Sequence, residues 1–368
     1  MTEGTAKPAL VSDPAQADAR WFTAVLKQAG VLGDAVVTAV EGKRIGTGAV
    51  GQNVAFSLTY DGPASDAPAT VVGKFPSPEP QSRAAGMSFR LYEREVRFYE
   101  TVAGTVDIRV PACYFADINV GTGDFVLLME DLRPAVQGDQ VAGCSVDQAL
   151  LAMRELAALH APRWGDPALA EIEWLGQSGD SQGVNMIQMA YQGLWPGFAA
   201  GYGPALSAEA LALGEAFGSS VGDWSRDWKP PACVTHGDYR LDNMLFGTED
   251  GGYPLTTVDW QTVGHGPGIR DASYFIGAGL TVPDRRAHEF DVLKHYHEAL
   301  LARGVSGYDW QRCVEEYKDA TLAGVLMTVI ATQAVASDDR GRAMFAAMAE
   351  RHFAHALDHQ AMERLTHA

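Results

Sequence analysis

The sequence predicts an α+β protein whose first half is mainly β and whose second half is mainly α. Three observations carry this. Residues 54–60 alternate, with Val54, Phe56, Leu58 and Tyr60 set against Ala55, Ser57 and Thr59, the period of a half-buried strand. Phe125-Val-Leu-Leu-Met129 is a compact apolar strand that stops abruptly at Glu130-Asp131. Beyond residue 145, apolar residues recur at helical spacing in several long segments.

In chain order, a turn-rich stretch over 61–68 follows the first strand. Thr70-Val-Val-Gly-Lys74 is then a short second strand, so the two pair as a hairpin. Residues 89–102 have helical spacing, with Leu91, Val96, Phe98, Tyr99 and Val102 available for a buried side. Ser145 with Gln148 three positions on forms a capping box that opens a helix running to about His160. Residues 289–302 make a second helix of this half, closed by Gly304 just past its end. Asp309 caps a third, whose apolar positions include Trp310, Val314, Tyr317, Leu322, Val325 and Val329. Short strands interrupt the helices at 244–246 and 255–258. The Ala-rich N-terminus and the Pro/Gly-rich segment 193–204 are expected to be the most flexible parts.

The 368 residues allow two or three domains or lobes at ~100–200 residues each. Acidic residues number 46 against 28 basic, a formal charge of −18. That balance argues against sequence-independent binding of nucleic acid or of an anionic membrane, since both need clustered Lys and Arg. It leaves room for one basic pocket inside an acidic shell. Cys113, Cys144, Cys233 and Cys313 are scattered and form no C-x-x-C pair. A cysteine zinc site is therefore excluded by spacing, and buried thiols of a cytoplasmic protein are expected rather than a disulfide framework. Residues 1–20 lack the apolar core of a signal peptide. The most apolar run, 322–336, is interrupted by Thr328, Thr332 and Gln333 and reads as a core helix rather than a membrane span.

Gly46-Thr-Gly48-Ala-Val-Gly51 matches G-x-G-x-x-G, a pattern that lets backbone N–H groups approach phosphates. In a dinucleotide-binding fold such a loop opens a helix; in a kinase it joins two strands and covers ATP. The alternating residues after Gly51 favour the second, and a glycine-rich hairpin without ligand is the plain alternative. Lys74 ends the next strand, where a kinase needs a lysine on the α- and β-phosphates, oriented by a glutamate. Glu95 is the candidate partner, with Glu93 and Glu100 as competitors; ordinary surface charges are the alternative.

The strongest signal is Thr235-His-Gly-Asp-Tyr-Arg-Leu-Asp-Asn243. Phosphoryl transfer to an alcohol needs a carboxylate beside the attacking hydroxyl and oxygen ligands for magnesium. Kinases supply these as Asp, four intervening residues and Asn, the spacing of Asp238 and Asn243. Asp259, 16 positions on at the end of an apolar strand, stands where a second magnesium carboxylate belongs. Arg240 could donate to the γ-phosphate. Taken singly, each residue reads as an ordinary turn or cap; their joint order and spacing do not.

These residues, with Asp271 downstream, resemble the aminoglycoside phosphotransferase and choline kinase superfamily. The stretches His236-Gly-Asp-Tyr-Arg-Leu-Asp-Asn-Met-Leu-Phe246 and Val258-Asp-Trp through Asp271-Ala-Ser-Tyr-Phe275 are similar to its ecdysteroid-kinase-like branch and bacterial relatives. Glu95-Val-Arg-Phe-Tyr99, Leu127-Leu-Met-Glu-Asp-Leu132 and Leu159-His-Ala161 extend the likeness along the chain. The resemblance implies a bilobal, protein-kinase-like α+β fold, with a nucleotide-binding lobe over 1–130, including an N-terminal helical extension, and a helical catalytic and acceptor-binding lobe over 131–368. ATP would sit between the lobes, with adenine on the backbone near Glu130 and Leu132 and phosphates at Gly46, Gly48, Gly51 and Lys74, which Glu95 orients. Asp238 would be the base, Asn243 and Asp259 magnesium ligands, and Arg240 a catalytic cation; Asp271 and His236 would brace the loop. The glycine loop is richer in glycine than in many members, and no dense acidic patch matches an aminoglycoside site.

The expected activity is an ATP- and Mg2+-dependent phosphotransferase acting on a hydroxyl of a small molecule: a steroid-like or other ring alcohol, an amino alcohol or an aminoglycoside. The acidic balance favours a neutral or cationic acceptor. Trp164, Trp174, Tyr191, Trp195, Phe198 and Tyr202 either line the acceptor site or fill the core. The competing readings are a non-catalytic kinase-like nucleotide-binding protein and, on the glycine motif alone, a dinucleotide-dependent oxidoreductase. A cytoplasmic monomer or homodimer with no nucleic-acid or membrane partner is expected.

Overall fold

The computed structural model describes residues 7–46, 50–62, 67–176, 181–226, 231–334 and 338–365. The chain forms two compact units. The first comprises Met1–Gly104, Val110–Arg133 and Asp259–Thr262; the second comprises Thr105–Arg109, Pro134–Val258 and Val263–Ala368.

The first unit is built on an antiparallel sheet of β1 (Val36–Ile45), β2 (Gly51–Asp61), β3 (Thr70–Pro76), β4 (Cys113–Asn119) and β5 (Asp124–Glu130), in the order β1-β2-β3-β5-β4. Alternation decides which side chain goes where. Val54, Phe56, Val71, Phe75, Val126 and Leu128 face α1 (Ala19–Gln28), which brings Trp21, Phe22, Val25 and Leu26. The intervening Phe125, Leu127 and Met129 point to the other face and pack on Tyr92 and Val96. Those two residues belong to α3 (Leu91–Arg97), which follows α2 (Pro80–Ser88) and continues as a single π-helical turn, Phe98–Val102. The helix expected over 89–102 is thus an α-segment plus a wider turn. Its buried side is Tyr92, Val96, Phe98 and Val102, with Leu91 and Tyr99 only half-buried. β1 escapes sequence reading because Glu41, Gly42, Lys43 and Arg44 are exposed and break any alternation.

The second unit is mainly helical. Its elements are β6 (Val136–Gln137), α4 (Val146–His160), α5 (Ser181–Gly201), α6 (Ala208–Phe217), α7 (Val221–Arg226), β7 (Ala232–Thr235), β8 (Met244–Thr248), β9 (Gly251–Thr257), β10 (Gly264–Pro267), α8 (Gly268–Gly279), α9 (Val282–Ala302), α10 (Trp310–Asp319), α11 (Leu322–Ala334), α12 (Asp339–Asp358) and α13 (Ala361–Leu365). β6, β8 and β9 form one small sheet, and β10 pairs with β7. Both bonds of the Ser145–Gln148 capping box are present at the start of α4. Asp309 caps α10 through the N–H of Arg312, and Gly304 follows α9 with φ +94°.

Three expectations change. The Pro/Gly-rich segment lies mostly, over 193–201, in the C-terminal half of α5, which carries Pro196 inside it, because Tyr191 and Phe198 are fully buried and anchor both sides of the proline. The helix expected to run from Trp310 through Val329 breaks at Ala320-Thr321, where the Thr321 hydroxyl donates to the Lys318 carbonyl at 2.8 Å and closes α10. The central aromatics divide: Tyr191 and Phe198 join Phe217, Trp224 and Phe353 in the core, with Trp195 and Tyr202 packed at its edge. All four cysteines are free thiols, and burial pushes those of Cys113, Cys144 and Cys313 up to about 12. Among the described residues no helix is long and apolar enough to cross a membrane.

Candidate active site

In the first unit, the β2–β3–β5 register sets Lys74 between Asn53 and Leu127. Its ammonium reaches both Glu95 oxygens, at 2.6 and 2.8 Å, and Asp259 Oδ1 at 3.0 Å. Of the three candidate glutamates, the structure brings Glu95 to the lysine; Glu93 pairs with Arg90 and Glu100 with Arg97. Glu95 is buried because α3 turns it inward beside Val96, and the backbone N–H of Trp260 also donates to it. Burial works against the charge on Lys74, but Asp259 and Glu95 outweigh it and hold the ammonium above its ordinary range. Asp259 has φ +66°, a conformation that Asp adopts more readily than most residues. The next residue explains the fixity: Trp260 is fully buried and stacks on Phe98, with ring centroids 3.9 Å apart and planes within 8°.

Gly46 follows β1 and Gly51 opens β2; Gly48 lies outside the described residues. A strand, not a helix, follows the glycine motif, which removes the ground for the dinucleotide-dependent oxidoreductase. Glu130 ends β5, its N–H donating to the Ala112 carbonyl at 2.8 Å and its carboxylate accepting from the Ala112 N–H at 3.0 Å. Leu132 lies just past β5 in the same unit.

In the second unit, β7 delivers the chain into Thr235-His-Gly-Asp. Gly237 turns with φ +81°, where a side chain would be strained. Asp271, at the start of α8, accepts the N–H groups of His236 and Gly237 at 2.6 and 3.1 Å, and His160 lies against it. His236 Nε2 contacts the Val258 carbonyl at 3.1 Å. The turn is therefore tied at both of its sides, and Asp238 is held where three side chains meet. Arg240 Nε donates to Oδ1 and Oδ2 at 3.1 and 3.0 Å, Asn243 Nδ2 donates to Oδ2 at 3.0 Å, and the Tyr274 hydroxyl donates to Oδ1 at 2.9 Å. The remaining reach of Arg240 goes to Asp242 and to Met344 Sδ. Asp242 in turn takes two bonds from Arg340.

The structure thus brings Asp238, Arg240 and Asn243 together in the second unit and Lys74, Glu95 and Asp259 together in the first. Sequence reasoning gave no role to Tyr274, Gln140, Asp242 or Arg340. Gln140 is fully buried: its amide oxygen accepts the Leu241 N–H, its amide nitrogen donates to the Ala278 carbonyl, and its own N–H donates to Asp242. Nothing in the local pattern around residue 140 announces this. Tyr274 was legible only as part of the motif that ends at Phe275.

Residues 64–313 match the profile of the phosphotransferase enzyme family (APH). Among solved structures, a Ralstonia eutropha protein provisionally assigned as an aminoglycoside phosphotransferase aligns over 92% of this chain and 97% of its own, with TM-score 0.51 and 18% identity. Choline kinase from Cryptosporidium parvum aligns over 89% and 90%, with TM-score 0.51 and 11% identity. Plasmodium vivax ethanolamine kinase aligns over 84% and 81%, with TM-score 0.50 and 11% identity. At these identities the likeness is one of fold, the kinase-like α+β fold. No curated protein matches the chain.

Proposed function

The chain belongs to the phosphotransferase enzyme family, and from that premise we propose that it transfers the γ-phosphate of ATP to a hydroxyl of a small, largely apolar alcohol, with magnesium. The observation that carries this reading is Asp238. Its carboxylate is one-fifth exposed, fixed by three side chains, and seated on a turn braced by Asp271. A base so held can take the proton of an acceptor hydroxyl as the oxygen attacks phosphorus.

The first unit is the nucleotide-binding one in this reading. Lys74 donates to the phosphates, Glu95 keeps its ammonium aimed, and Gly46, Gly48 and Gly51 offer backbone N–H groups. Backbone near Glu130 and Leu132 receives the adenine. The donors for a metal are hard oxygens, which suit magnesium. Asn243 turns its amide nitrogen to Asp238, leaving its oxygen with no hydrogen-bond partner among the described residues. Asp259 supplies the second oxygen ligand. Bound magnesium would neutralise charge on the transferring phosphate. Arg240, spent on Asp238 and Asp242, acts by holding the base.

The surroundings of Asp238 in the second unit bear on the acceptor. Tyr274 packs with Met344, Phe345 and Met348 in a buried apolar cluster, with Val141 and Tyr202 beside them, and Arg240 and Arg340 are paired with Asp238, Asp242 and Asp139. An apolar, methionine-rich cluster packed beside the base supports a largely apolar alcohol as the acceptor. The test is ATP consumption across ring alcohols, sterols, sugars, amino alcohols and aminoglycosides, with Asp238→Asn as control. Turnover on a neutral alcohol, falling ~10²–10⁴-fold in Asp238→Asn, is the expected result. Nucleotide binding without turnover on any of them would establish the non-catalytic alternative.

A further inference from the structure

We infer that Tyr274 is a positioning residue for Asp238 and that His352 is the shelf that fixes Tyr274. The inference rests on the reading of Asp238 as the base. A carboxylate turns easily about its last bond, because that torsion has broad wells. Arg240 Nε lies almost evenly between the two Asp238 oxygens, at 3.1 and 3.0 Å, and Asn243 fixes Oδ2 alone. The Tyr274 hydroxyl, at 2.9 Å from Oδ1, supplies the remaining constraint on the plane of the group. Burial first, and then the charge of Asp238, keep this phenol protonated well beyond its ordinary range, so it is a donor at any working pH.

The ring behind that hydroxyl is built into place. Tyr274 stacks on His352, with centroids 4.9 Å apart and planes within 18°. His352 is fully buried, and among the described residues neither of its ring nitrogens has a hydrogen-bond partner. Two bare polar atoms in a core are costly. The imidazole is therefore used as a flat ring, not as a hydrogen-bonding group. Room for it is cleared on two helices. A Cβ on Gly324 would lie 2.0 Å from His352 Nδ1, and one on Gly277 would lie 3.0 Å from it. Two small residues and one buried ring thus set the tyrosine that sets the base. Asp238 needs none of this to stay ionised; it needs it to face one way.

The experiment reads ADP release from MgATP, with the alcohol of the panel above that gives the highest turnover, beside MgADP affinity and the melting temperature. Tyr274→Phe is expected to lower kcat about tenfold, with the acceptor KM, MgADP affinity and melting temperature near wild type. His352→Phe keeps a flat ring and should retain most of kcat. His352→Leu removes it and should lower kcat several-fold, and Tyr274→Phe/His352→Leu should be no slower than Tyr274→Phe alone, since the shelf acts only through the hydroxyl. Wild-type kcat in Tyr274→Phe, or losses that multiply in the double variant, overturn the inference. The two readings separate in the Asp238→Asn control. If that variant is as fast as wild type, the base assignment fails and Tyr274 falls with it. If it is slow while Tyr274→Phe is not, only the role of Tyr274 fails.

Discussion

Lys74 is a buried cation on which folding depends and which the proposed nucleotide would also meet. Its ammonium neutralises Glu95, which is 2% exposed, so removing it strands a carboxylate in the core. Breaking a buried pair in this way costs about 3–5 kcal/mol. Lys74→Met should therefore lower the melting temperature clearly and weaken MgATP binding roughly tenfold or more, the worth of a charge-assisted bond to phosphate. Glu95→Gln keeps the buried shape and hydrogen-bonding capacity, so it should be the milder of the two in thermal unfolding. If Lys74→Met melts with wild type, the ion pair does not hold this part of the unit together. The lysine and its order relative to Glu95 were legible in the sequence. The choice of Glu95 over Glu93 and Glu100 was not, because all three sit within eight residues and only the packing of Tyr92 and Val96 decides which one turns inward.

Among the elements, the segment Asp259–Thr262 matters most, since it joins the first unit although its neighbours in sequence belong to the second. The π-helical turn Phe98–Val102 makes the place for it: the wider turn brings Phe98 flat against Trp260. Trp260 carries Asp259 in the left-handed conformation. Trp260→Ala should cost ~3–5 kcal/mol, as burying and then deleting a large aromatic does, and should weaken MgATP binding by loosening Asp259. Denaturant unfolding with a nucleotide titration checks both. A variant that is destabilised but binds MgATP normally would separate the tryptophan from the aspartate. Periodicity could flag residues 89–102 as helical, but a π turn differs from an α turn by one residue and leaves no mark in the spacing of apolar positions.

Across the molecule, the buried histidines give stability a pH dependence. Burial first, and then Arg351 and Arg285, hold His352 down to about 3, and burial first, then Arg285, His359 and His352, hold His355 well below its ordinary value. The unfolded chain protonates both rings near pH 6.5, whereas the folded chain does not until far lower. Between those values the unfolded state holds more protons, so stability rises with pH and falls on acidification. Each ring contributes a slope of about 1.4 kcal/mol per pH unit across that window. Unfolding free energy should therefore drop steadily from pH 6.5 to 4.5, and His352→Leu should remove about one proton from the slope. A flat dependence over that range would mean that these rings are protonated in the folded chain.

By itself the sequence determined the candidate groups for the proposed chemistry and their order. Lys74, Asp238, Asn243 and Asp259 are few, polar and set at fixed spacings, and such spacings survive in a string of letters. It determined, too, that the first half is mainly β and the second mainly α, because alternation at 54–60 and the capping box at 145–148 are local. The tertiary structure alone decided which long-range partners fix those groups. Gln140 reaches Leu241 and Ala278, Tyr274 reaches Asp238, and His352 fits the hollows at Gly277 and Gly324. These contacts join residues from tens to somewhat over a hundred positions apart. They depend on close packing and hydrogen-bond direction, which no period or motif encodes.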